Sequence, residues 1–129
     1  MLEVIVFEPR PESAAFDVAD LRAKLQERPE CAPDPHDPDT LLVVGGEPAR
    51  SWVLRKRAED PKSSRACGVI IVREKMVALD HGWADPTARE VMRQFARWLF
   101  QTYDPRIFSE VEGDEWTDRC GGDVDALFA

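Results

Sequence analysis

Two groups of residues have the side chains that catalysis requires. The first is Asp80-His81, followed by Gly82-Trp83. An imidazole beside a carboxylate can serve as a general base, and a thiol brought to it, such as that of Cys120, would be an activated nucleophile. Nothing in the local sequence places Cys120 beside His81, and no Gly-x-Ser-x-Gly elbow is present. The plainer reading of His81 is a turn residue satisfied by the backbone. The second group is the run Glu110, Glu112, Asp114, Glu115 and Asp118 around Trp116. Paired carboxylates divide acid and base work when an apolar cleft drives their pKa values apart. A glycine-containing, strongly acidic stretch is instead expected to be solvated, so these residues read as a binding strip. Trp116 has two readings, a lid packed over the sheet or long helix, and an aromatic anchor within an acidic rim. No residue is assigned a catalytic role.

Metal and phosphate chemistry find little support. Asp34, His36, Asp37 and Asp39 are ligand types at close spacing, but Pro35 and Pro38 interrupt them and no glycine supplies the turn of a calcium loop. Cys31, Cys67 and Cys120 are odd in number, and no two lie at metal-ligand spacing. With no export signal, they read as free thiols of a reducing cytoplasm. Gly45-Gly46 is not followed by Gly-Lys-Ser/Thr, so it is no phosphate loop. No metal or cofactor is expected.

The elements that must position these residues follow from spacing. Leu2 to Phe7 reads as a strand, apolar on both alternating sets and therefore central, and Pro9 and Pro11 stop it. A helix begins near Ser13 or Asp17 and runs to Arg28, with Asp17 as its cap and Val18, Leu21 and Leu25 as its buried stripe. The proline-rich residues 29–39 read as a loop. Four strand-like runs follow, at Leu41 to Val44, Ser51 to Arg57, Cys67 to Arg73 and Met76 to Asp80. Asp85-Pro86 opens a long helix to Tyr103. Val91, Met92, Phe95, Trp98, Leu99 and Tyr103 form its apolar stripe, and Arg89, Arg93 and Arg97 its solvated face. Arg106 to Ser109 reads as one more short strand. The sum is a single α+β domain over residues 1–129, with 104–129 as an acidic C-terminal segment. Two helices pack on one face of a mostly antiparallel sheet, ferredoxin-like in part. Two helices cover one face only, so the tail, a second copy or a partner is expected over the other.

Length and charge limit the function classes. The chain has 129 residues, 25 acidic against 17 basic side chains, and a net charge of −8. That length fits one domain with an ordinary core. No apolar run approaches a membrane span. Residues 104–129 hold eight acids and two bases, whereas residues 49–75 hold eight bases and three acids. The basic segment lacks the interleaved aromatics of a single-strand platform, and the molecule as a whole repels phosphate, so nucleic acid is not the expected partner. Acidic surfaces steer encounter with basic proteins.

The opening Glu3-Val4-Ile5-Val6-Phe7-Glu8-Pro9, the meander ending in Val77-Ala78-Leu79-Asp80-His81-Gly82, the long helix Asp85 to Tyr103 and the acidic stretch Ile107 to Trp116 together resemble the small acidic immunity proteins of bacterial polymorphic and contact-dependent toxin systems. The resemblance implies a cytoplasmic, non-enzymatic protein that binds and inhibits a cognate toxin domain. Two other readings stand beside it: a homodimeric or adaptor module that buries its second sheet face, and a small hydrolase built on Asp80/His81 or the acidic tail.

Overall fold

The computed structural model describes residues 3–62, 67–109, 113–117 and 123–128. Six strands form one sheet: β1 (Val4–Glu8), β2 (Cys31–Pro33), β3 (Thr40–Val43), β4 (Gly68–Val72), β5 (Val77–Asp80) and β6 (Arg106–Ser109). Their order is β2-β3-β4-β5-β1-β6, and every neighbouring pair is antiparallel. The α+β class and the antiparallel sheet stand as expected, with β1 in the interior.

Three helices, not two, accompany the sheet among the described residues: α1 (Val18–Gln26), α2 (Ala49–Glu59) and α3 (Pro86–Tyr103). α2 replaces the strand expected over Ser51 to Arg57. Alternation of Trp52 and Leu54 suggested period two, yet the residue that is buried is Val53, between them, while Trp52 is exposed. One buried side chain per three turns is a helix lying lightly on a surface, and its Ala, Arg, Lys, Leu and Glu content suits that state. β2 is also new, because Cys31–Pro33 lies in the stretch read as loop.

Side-chain alternation divides the core in two. Ile5, Phe7, Leu41, Val43, Ile70, Val72, Val77, Leu79 and Ile107 point to one face, where Leu21 and Leu25 of α1 and Val91, Met92, Phe95, Ala96 and Leu99 of α3 pack on them. Fully burying each large apolar side chain contributes about 1.5–3 kcal/mol. On the other face, Leu42, Val44 and Cys67 meet Val53 of α2, with Leu54 and Val69 partly buried beside them. This division between faces does not carry the ferredoxin likeness or the expectation that the helices share a face.

Capping fixes where α1 and α3 begin. Asp17 accepts from Asp20 N at 3.2 Å, and Asp85 accepts from Ala88 N at 2.7 Å, with Pro86 in the first helical position. α3 ends at Asp104 in the left-handed region (φ 46°), ahead of Pro105. A short 3-10 turn, Val124–Phe128, buries Val124 and Leu127 against the main core.

Candidate functional site

Residues 113–117 of the acidic segment are pinned to the sheet. β6 is followed by a return in which Gly113 takes φ 70° and donates to Ser109 O at 2.7 Å. Ser109 N donates to Asp114 O at 2.9 Å, Trp116 N to Ile107 O at 2.6 Å, and Ile107 N to Thr117 Oγ1 at 2.9 Å. A bridge pairs Phe108 with Glu115. Residues 113–117 thus satisfy backbone groups along the outer side of β6.

Of the strip read from sequence, Asp114 and Glu115 are exposed and Trp116 is half-buried. Glu110, Glu112 and Asp118 lie outside the described residues. Trp116 packs against the main core, which is the lid reading of that residue. Glu115 is tied within the chain: its carboxylate accepts from Arg106 Nη2 at 2.6 Å and from Thr117 Oγ1 at 2.9 Å. The Arg106 hydrogen bond, then that of Thr117, holds the Glu115 carboxyl below the usual range. Arg106 also lies over the Phe108 ring, 4.9 Å from its centroid.

Beside this segment the second sheet face is half open. One row crosses it in register, Thr40–Ile71–Ala78–Val6–Phe108, and ends at Glu115. Ile71, Val6 and Phe108 are only partly buried, as are Val4 and Val69 of the adjacent row. The apolar cluster under α2 includes Val69 but none of the other four. Glu8 and Asp80 lie on the same face, also partly exposed. Among the described residues, α2 covers the β3 side of this face, and it is none of the covers expected from sequence, which were the tail, a second copy or a partner. Sequence alternation carried the signal for a cover, because both sets of β1 and β4 are apolar.

The other groups have structural roles. His81 is buried, its ring 4.8 Å from that of Phe128 and its backbone N–H donating to Glu3 O at 3.0 Å. Asp80 accepts from Gly82 N at 3.2 Å. Cys120 lies outside the described residues, so the Cys–His pairing has no geometry to describe. Burial pushes the Cys31 thiol up to about 11 and raises that of Cys67, the opposite of an activated nucleophile.

Asp34, His36, Asp37 and Asp39 are spent separately. Asp34 accepts from His36 N at 3.0 Å and pairs with Arg57. His36 Nε2 reaches Arg57 O and Ala58 O at 2.9 and 3.0 Å. Asp37 accepts from Asp39 N and Thr40 Oγ1, and Asp39 pairs with Arg73 at 3.2 Å. Among the described residues, no group of three or more ligand-type side chains is placed to hold a metal.

The arginine face of α3 is not simply solvated. Arg97 holds Asp125 at 2.6 Å and Arg93 holds it at 3.5 Å, clamping the final 3-10 turn onto the helix. Among the described residues, no helix is long and apolar enough to cross a membrane. No protein-family model matches the chain, and comparison with curated proteins and with solved structures finds no significant match.

Proposed function

We propose that this protein is a non-enzymatic, immunity-type inhibitor that binds a basic bacterial toxin domain in the cytoplasm. The observation that carries the reading is the row Ile71–Ala78–Val6–Phe108 running out to Glu115. It joins a rigid, partly open apolar strip to an acidic border, the arrangement in which an apolar centre slows dissociation and charge at the rim speeds encounter. Asp114, with Glu8 and Asp80 on the open face, supplies the acidic part of that border, while Glu115 enters it paired with Arg106, whose guanidinium lies over the Phe108 ring. Glu110, Glu112 and Asp118 complete the proposed strip by sequence, with Trp116 half-buried against the main core beside them. A net charge of −8 favours a partner with a cationic cleft.

The test is binding of the purified chain to the toxin-like product of the neighbouring reading frame, followed by calorimetry. A 1:1 complex that Val6→Glu weakens by about 100-fold or more, the scale of a lost hot spot, supports the reading. No complex, or substrate turnover by this chain alone, overturns it.

The same open row also suits a second copy of the chain. Light scattering across a range of concentrations separates the two, because a dimer that Val6→Glu dissociates would assign this face to self-association.

A further inference from the structure

The second sheet face already carries one basic helix. α2 holds Arg50, Arg55, Lys56 and Arg57 against a single acid, Glu59. It lies on the β3 side of the face through Val53 and Leu54, which share a cluster with Leu42 and Val69, and through Arg57 on the buried Asp34 carboxylate. This face therefore holds a basic helix by a thin apolar contact backed by an acid.

The bare half beside α2 has room for one more helix. It spans β5, β1 and β6, which at about 4.8 Å per strand make roughly 14 Å of sheet, against about 10–12 Å for a helix with its side chains. Ala78 is the smallest side chain of the row and stands between Ile71 and Val6, so the row dips over β5. Two carboxylates bracket that dip. Asp80 lies opposite Val4, and Glu8 stands farther along β1, opposite Arg106, so the two are about 14 Å apart along the strands. Arg106 is matched by Glu115 at 2.6 Å, and among the described residues neither Glu8 nor Asp80 forms an ion pair. A partner cannot join β6 as a further strand, because residues 113–117 occupy its outer side. Nor does the full charge of α2 oppose a basic neighbour, since Arg57 is paired with Asp34 and Lys56 with Glu59.

We propose that this face takes a single amphipathic α-helix of the partner, laid along β5 and β1 beside α2. Its apolar stripe fills the dip at Ala78, and two basic side chains, two to three turns apart, meet Asp80 and Glu8. Bases about seven or eleven residues apart fall on one side of a helix and span that distance, whereas acids there would meet like charge. The inference rests on the reading of this face as the site for a basic partner, and it names the element that enters.

Fluorescence anisotropy with labelled synthetic peptides tests it. The probe has about 18 residues, with leucine at helical spacing, two lysines about eleven residues apart beside that stripe, and alanine and glutamine elsewhere. One comparator has the same composition with leucine at alternate positions, and another carries glutamate in place of both lysines. The helical probe binds, and each comparator binds at least about tenfold more weakly. Glu8→Gln combined with Asp80→Asn weakens the probe by about threefold or more; both positions are partly exposed, so the fold is kept. Val6→Lys, which sets a like charge beside the dip, weakens it by about tenfold or more. Glu27→Gln combined with Glu90→Gln, on the helices of the opposite face, leaves it unchanged. No binding by the helical probe, equal binding by either comparator, or an equal loss from the Glu27/Glu90 pair overturns the proposal. A complex with the toxin-like product that persists after such a result keeps the inhibitor reading and removes the helix alone.

Discussion

The carboxylate of Asp34, with 0% of its side chain exposed, holds Arg57 Nη2 at 2.7 Å and fastens the C-terminal half of α2 to the β2–β3 connection. His36 strengthens the same junction from the adjacent position, by reaching the carbonyls of Arg57 and Ala58. α2 buries little else, so this junction is its main anchor. Asp34→Ala leaves a guanidinium without its buried counter-charge and is expected to cost about 3–5 kcal/mol. Urea unfolding followed by circular dichroism measures it. A loss below about 1 kcal/mol, the scale of a surface pair, would show that the junction is not desolvated.

Gly45 and Gly46 are adjacent but predicted to respond in opposite ways. A Cβ on Gly45 would stand 2.2 Å from Asp85 Oδ2, the carboxylate that caps α3. Gly45→Ala therefore displaces the cap and costs about 1–2 kcal/mol. Gly46→Ala enters open space and is neutral or stabilising by up to about 1 kcal/mol. Paired thermal melts distinguish them, and equal effects would contradict the geometry.

The clamp of Arg93 and Arg97 on Asp125 is half-exposed, whereas Leu127 in the same turn is buried. Asp125→Ala is expected to cost about 0.2–1 kcal/mol and Leu127→Ala about 2–5 kcal/mol. Both should make the C-terminus more sensitive to carboxypeptidase, and Leu127→Ala the more so.

Cys31 predicts alkaline weakening. Its thiol is pushed from 9.0 to about 11 by burial, so between those values the folded state keeps a proton that the unfolded state has lost. Stability is complete below about pH 9 and falls as pH rises towards 11. Cys31→Ser should flatten that limb of a denaturation series. Alkylation of the native protein at pH 8 should be slow at this residue.

Glu115 should titrate below an ordinary glutamate in a carboxyl NMR titration. Arg106→Gln should return it towards the ordinary range, since the Arg106 hydrogen bond is the leading cause. Acid lowers stability as pH falls through the depressed folded value, because the carboxylate form is the one Arg106 binds. An unshifted Glu115 would mean that the acidic segment is not fastened to β6.

Elements with strong local signals were legible in the sequence. Asp17 and Asp85-Pro86 marked two helix starts, and dense Val/Ile/Leu runs marked β1, β3, β4 and β5. The failures share a cause. β2 has three residues and exists because Ala32 and Cys31 find Leu42 and Val43 across a hairpin, a pairing invisible in a proline-rich stretch. α2 was hidden because helical periodicity needs a buried stripe, and Val53 alone does not make one. The acidic strip was legible as composition; that Glu115 meets Arg106 and Trp116 meets the core depends on the turn at Gly113.

The fastening of residues 113–117 onto β6 has a counterpart at the opposite end of the sheet. There β2 is only three residues long and ends in Pro33, which lacks an N–H to offer a newcomer. Both lateral margins therefore discourage strand-by-strand polymerisation. A molecule built this way can present a sticky broad side at high concentration with little risk of templating fibrils.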